Sequence, residues 1–128
     1  IGRLGLAGRV EVLGALPDDR IAALYAGSDL FVLASRHEGY GMAFAEALAH
    51  GLPVIGTTAG AIPDTVPPAA GVLVAPDDIA ALADALRMLI ENPERRRRLA
   101  SAAHAAAEKL PTWQDSAKRF ACAIEALA

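Results

Sequence analysis

The chain has 128 residues, 54% of them apolar, a length that suits one domain with a real core and falls short of two ordinary ones. A net charge of −3 argues against a nucleic-acid partner, because polyphosphate binding needs a concentrated basic face. Asp, Arg, Gly and Pro interrupt the apolar residues too often for the roughly 18-residue run of a transmembrane segment, and the single cysteine, Cys122, excludes an internal disulfide and a cysteine-built metal site.

The chain opens on Ile1, Gly2, Arg3 and Leu4, without an initiator Met, a basic leader or a cleavage site. The expectation is a segment of a longer cytoplasmic protein. Residues Arg9 to Leu13 alternate apolar and polar and stop at Gly14, which predicts a strand. Pro17, Asp18 and Asp19 then suit a first helical turn, and Ile21, Leu24 and Tyr25 share one face of the helix that follows. Gly27, Ser28 and Asp29 end it.

Leu30 to Ala34 is a short apolar run, read as a strand in a covered sheet. Met42 to His50 reads as a helix closed by Gly51, Pro53 to Ile55 as a strand, and Gly71 to Val74 as another. From Asp77 onward the pattern is helical: Ile79 to Ile90, Pro93 to about Lys109, and Thr112 to Leu127. Asp77 and Thr112 are the expected N-caps, with Pro93 and Pro111 as breaks. Strands alternating with helices predict a doubly wound α/β domain with a parallel sheet, whose ligands sit beyond the carboxyl ends of the strands.

That rule directs attention to the segment after the second strand, from Ser35 through Glu38, Gly39, Tyr40, Gly41 and Met42 to Glu46. It is a glycine-bearing turn running into a helix. Glycine lets a ligand approach the backbone closely, and the unpaired amides of Gly41 to Ala43 carry the positive end of the helix dipole. A diphosphate is the natural occupant.

On one unbroken helix, carboxylates eight residues apart would lie about 80° apart around the axis and roughly 12 Å along it. The glycines place Glu38 in the loop and Glu46 one turn into the helix, so the two can flank one extended ligand. An ionised carboxylate has acceptors only, which suits a vicinal diol. Glu46 fits a ribose and Glu38 a sugar.

These residues resemble a known family. Glu38 and Glu46 with the seven residues between them, followed by Ala47 to Ile55, are similar to the signature of retaining family-four, or group 1, glycosyltransferases of GT-B fold. Val12 to Asp18, Tyr25 to Ser35, Gly60 to Val66, Gly71 to Val74 and the Trp113-bearing last helix agree in order and spacing.

The resemblance implies a Rossmann-like three-layer α/β/α sandwich with a parallel sheet, the carboxyl-terminal half of a two-domain enzyme, spanning residues 1–128. It implies Glu46 at the donor ribose, Glu38 at the donor sugar as the catalytic residue, and the backbone of Gly39, Tyr40, Gly41 and Met42 at sugar and diphosphate. Leu16 and Pro17 would lie at the base.

It also implies transfer from a nucleoside diphosphate sugar with retained configuration, without a cofactor or metal. The full enzyme would be cytoplasmic or work at the inner membrane face. Family members carry an Arg and a Lys upstream of the segment matching Arg9 to Gly14, and Arg3 and Arg9 lack their spacing. The acceptor-binding amino-terminal domain is expected outside this chain, so the chain alone is expected not to turn over.

Other readings are set against this one. A dinucleotide fingerprint needs a third glycine that residues 39–44 lack. A non-catalytic nucleotide-sugar or partner-binding module of the same fold is the alternative to the enzyme. Gly60 to Pro63 is either a plain turn or part of the pocket wall, and His37 either reaches the donor or is incidental. His50 favours the helix carboxyl end. Arg95 to Arg98 read as a solvated helix face, Cys122 as a buried small apolar residue beside Phe120, Ile124 and Leu127, and Trp113 as the anchor of the last helix.

Overall fold

The computed structural model describes residues 1–126. After a single 3-10 turn at Gly2–Leu4, the elements run α1 (Asp18–Ala26), β1 (Phe31–Val32), α2 (Met42–Ala49), β2 (Val54–Thr57), α3 (Ile62–Thr65), β3 (Gly71–Val74), α4 (Ile79–Glu91), α5 (Pro93–Ala107) and α6 (Trp113–Glu125). The strands form one sheet in the order β1-β2-β3, parallel throughout, with Phe31 opposite Val54 and Val54 opposite Gly71.

The central strand β2 is buried along its whole length, and its alternating side chains build two cores. On one face, Val54 joins Phe44, Ala47 and Leu48 of α2, Ile62 of α3 and Ala103 of α5. On the other, Ile55 joins Ala85 and Leu89 of α4 and Leu99 of α5. Helices therefore cover both faces of the sheet in the expected three-layer arrangement. Leu99 and Ala103 belong to different cores, so α5 ties the two helical layers together.

Most helix ends follow the residues that signalled them. Asn92 caps α5 through its side chain, accepting from the Arg95 amide, and Thr112 caps α6 in a capping box with Asp115. The α4 cap is Asp78, which accepts from the Ala81 amide. The sequence favoured Asp77, but that residue lies at φ 64, one position before the cap. His50 is the C-cap of α2 as expected.

The predicted strand at Arg9 to Leu13 does not form. Arg9 and Val10 donate instead to the carbonyl of Leu6 in a local turn, and Val10, Val12 and Leu13 are exposed. Alternation shows which face a strand would bury, but a strand also needs a partner edge, and among the described residues none pairs with this segment.

Two further expectations are corrected at the last helix. Trp113 is 86% exposed rather than an anchor, and Cys122 is exposed rather than buried. The apolar stripe of α6 exists, yet no residue of the helix is buried. Leu127, where that helix was expected to end, lies outside the described residues. Of the basic run, Arg96 departs from a solvated face by donating to the carbonyls of Leu89 and Ile90 at the end of α4.

Candidate functional site

The loop from Ser35 to Gly41 leaves the carboxyl end of β1 and enters α2, and its shape is fixed by neighbours from the β2–α3 corner. The Thr57 hydroxyl donates to the Ser35 carbonyl at 2.5 Å. The Ala61 amide donates to the Glu38 carbonyl at 3.1 Å, and the Thr65 hydroxyl to the Tyr40 carbonyl at 2.7 Å. Part-buried hydrogen bonds of this kind convert a flexible glycine loop into one defined conformation.

Two glycines make that conformation possible. Gly41, the α2 N-cap, sits at φ 84, a backbone geometry that L side chains seldom adopt. Gly60 sits at φ 55, where a Cβ would fall 2.2 Å from the Glu38 carbonyl oxygen. The corner at Gly60 to Pro63, which the sequence left as a plain turn or part of the pocket wall, lies against the Glu38 backbone, and Ile62 begins a one-turn helix.

Glu38 is half-buried, and the Ser35 hydroxyl donates to its Oε1 at 2.9 Å. Glu46 stands exposed on the second turn of α2, and the Tyr25 hydroxyl donates to its Oε2 at 3.2 Å. Burial, and then the neighbouring Glu46 carboxylate, push the Tyr25 hydroxyl above its ordinary pKa. It therefore stays protonated and remains a donor. Between the two acids lies the start of α2, where the Gly41 carbonyl accepts from Phe44 and Ala45 and the Met42 and Ala43 amides have no carbonyl one turn back within the helix.

Glu46 forms a wall common to two cavities. One, of about 280 Å³, lies between α1 and α2 and is lined by Asp18, Ile21, Tyr25 and His50. The other, of about 350 Å³, lies between α2 and the α5–α6 connection and is lined by Tyr40, Met42, Leu110 and Trp113. Pro17 is the N-cap of α1, next in the chain to Asp18 at the first cavity, and Leu16 is half-buried beside it. Glu38, Gly39, Tyr40, Gly41, Met42 and Glu46 are thus gathered on one loop and the first two turns of one helix, while Leu16 and Pro17 come from a separate loop. His37 is exposed.

Sequence reasoning did not single out Ser35, Thr57 or Thr65, and it saw Tyr25 only as part of an apolar face. A hydroxyl three residues before an acid was a usable signal for Ser35. The others act across 21 to 25 residues of chain, where local spacing carries no information.

Over residues 1–106 the chain matches the family described as glycosyl transferases group 1. The chain belongs to that family. It is 32% identical over 98% of its length to the MMP alpha-(1->4)-mannosyltransferase of Mycolicibacterium hassiacum, of which it covers 31%. Among solved structures, sucrose-phosphate synthase from Thermosynechococcus elongatus superposes with a TM-score of 0.87 at 29% identity, over 98% of this chain and 32% of that one.

Anabaena HepE in complex with UDP gives 0.86 at 30% identity, over 98% of this chain and 35% of that one. The fold of this glycosyltransferase-family chain is the Rossmann-like α/β fold of GT-B enzymes. The chain spans about a third of the length of these relatives. No helix among the described residues is long and apolar enough to cross a membrane.

Proposed function

We propose that this chain is the donor-binding, carboxyl-terminal domain of a glycosyltransferase that moves a sugar from a nucleoside diphosphate to an acceptor with retained configuration. One observation carries the reading: two carboxylates, each held by a neighbouring hydroxyl, flank a helix start whose amides are free. Glu46 takes the ribose diol, the amides around Gly41 to Ala43 take the diphosphate, and Glu38 takes the donor sugar. Leu16 and Pro17 border the base.

In this reading the chemistry needs no metal or cofactor. Preorganised amides at the start of α2 stabilise the charge that develops on the leaving diphosphate, and Glu38, held by Ser35, fixes the sugar close to where the acceptor attacks. The amino-terminal domain of the longer enzyme binds the acceptor, and an Arg and a Lys upstream of the segment matching Arg9 to Gly14 supply the cationic contribution to the leaving group; the enzyme works in the cytoplasm or at the inner membrane face. The 128-residue chain alone therefore binds donor without turning it over. HepE was solved with UDP-glucose as well as with UDP, which makes nucleoside diphosphate sugars the ligands to test first.

Calorimetric titration of UDP-, GDP- and ADP-sugars into the chain and into Glu46→Ala tests the proposal. One of these donors is expected to bind, and Glu46→Ala to weaken it by about tenfold or more, since a hydrogen bond to a charged group contributes roughly 1.5–3 kcal/mol. No binding at millimolar concentration would remove the donor-site reading. Equal binding by Glu46→Ala would remove the ribose assignment.

A further inference from the structure

The contact between Tyr25 and Glu46 goes further than the roles assigned above. Glu46 is an exposed side chain with three rotatable bonds, and ordering such a chain upon a ligand costs rotamer entropy at the moment of binding. Tyr25 is held from two sides. Its ring stacks on His50, with centroids 5.1 Å apart and planes 12° apart, and packs against Phe31 at 6.0 Å. Phe31 in turn meets the buried Phe44 edge-on at 5.5 Å. The Tyr25 hydroxyl is thus positioned by β1 and by both ends of α2.

None of this packing needs the hydroxyl, because phenylalanine would supply the same ring. What the oxygen adds is the bond to Glu46 Oε2, on the wall of the cavity that Tyr25, Glu46 and His50 line together. One carboxylate oxygen is engaged, and Oε1 with the remaining lone pairs is left for a ligand diol.

We infer that Tyr25 is a positioning residue that orients Glu46 for the ribose hydroxyls before the donor arrives. The inference rests on the reading of Glu46 as the ribose carboxylate. It also gives α1, which has no buried residue of its own, a part in the site: Tyr25 is the half-buried link between that helix and the carboxylate.

The test is the ratio of dissociation constants for 2′-deoxy-UDP and UDP, with the guanosine pair run in parallel, measured by calorimetry on the 128-residue chain. The ratio is taken within one protein, so any loss of folded fraction in a variant cancels. The unaltered chain is expected to prefer the ribonucleotide by about tenfold, Glu46→Ala by about onefold, and Tyr25→Phe by an intermediate factor of about three. A purely structural Tyr25 would weaken both nucleotides equally and leave the ratio where it was.

If Glu46→Ala abolishes the preference while Tyr25→Phe retains it in full, Tyr25 has no positioning role and the ribose reading stands. If the unaltered chain shows no preference, or if neither these nucleotides nor the adenosine pair binds, the ribose reading fails and this inference with it.

Discussion

Gly39 and Gly60 touch the same loop, and their surroundings assign them different work. A Cβ on Gly60 would collide with the Glu38 backbone, at 2.2 Å from its oxygen and 2.9 Å from its nitrogen, and the residue sits at φ 55. Gly39 has no heavy atom within 4 Å of the position its Cβ would take, and no positive φ. Gly60→Ala is therefore expected to cost about 1–3 kcal/mol of stability and to weaken donor binding by displacing Glu38. Gly39→Ala is expected to leave stability within about 0.5 kcal/mol while still weakening the donor, whose diphosphate the proposed function puts over that backbone. Denaturant titration with donor titration of both variants separates the roles; normal donor affinity in Gly39→Ala would show that the ligand does not approach the loop there. The acids Glu38 and Glu46 and the glycines between them were legible because their chemistry lies in one short segment. The hydroxyls of Tyr25, Thr57 and Thr65 were not singled out, since each acts across 21 to 25 residues of chain; only Ser35, three residues before Glu38, carried a local signal.

At the scale of the element, α6 offers a pH-dependent test. Its capping box joins the Thr112 hydroxyl and amide to the Asp115 carboxylate, and these hydrogen bonds, the hydroxyl first, hold the Asp115 carboxyl below the usual carboxylate range. A carboxyl whose folded pKa is depressed stabilises above its unfolded pKa, and that stabilisation is lost as pH falls through the folded value. Amide protection at the start of α6 is expected to decline as the solution is taken below about pH 4, and Asp115→Asn, which cannot titrate, is expected to flatten that decline. An unchanged acid profile in Asp115→Asn would assign the loss to another group. Elements of this kind were legible: capping residues and 3.6-residue periodicity located α1, α2, α4, α5 and α6 within a few residues. The four-residue α3 is too short to show a period. The stretch Arg9 to Leu13 has the pattern of a strand without the pairing, because hydrogen-bond partners are a property of the fold rather than of the segment. At α6 the sequence read Cys122 as buried beside Phe120 and Ile124 and Trp113 as an anchor, but a local pattern carries no information on whether anything packs there.

Across the whole molecule, burial is uneven, and the site spans the boundary. Phe44, Ala47, Leu48, Val54, Ile55, Leu89, Leu99 and Ala103 are buried in α2, β2, α4 and α5, whereas α1 and α6 contribute no buried residue. Local opening free energies follow buried contacts, so hydrogen exchange should be graded. Amides of β2, α2 and the middle of α5 should exchange only through global unfolding, and those of α6 and residues 1–17 much faster. The loop at Glu38 is tied to β2 and α3 by Thr57, Ala61 and Thr65, which donate to its carbonyls and leave its own amides to exchange; Glu46 belongs with the protected group through α2, while its partner Tyr25 rides on the weaker α1. Donor binding that engages Glu46 should therefore slow exchange most in α1, where there is most stability to gain, and change β2 least. Exchange measured with and without the tightest-binding nucleotide checks this. Slowing confined to β2 would contradict the link through Tyr25, and protection of α6 equal to that of β2 in the free chain would mean that its Trp113 face is covered in solution.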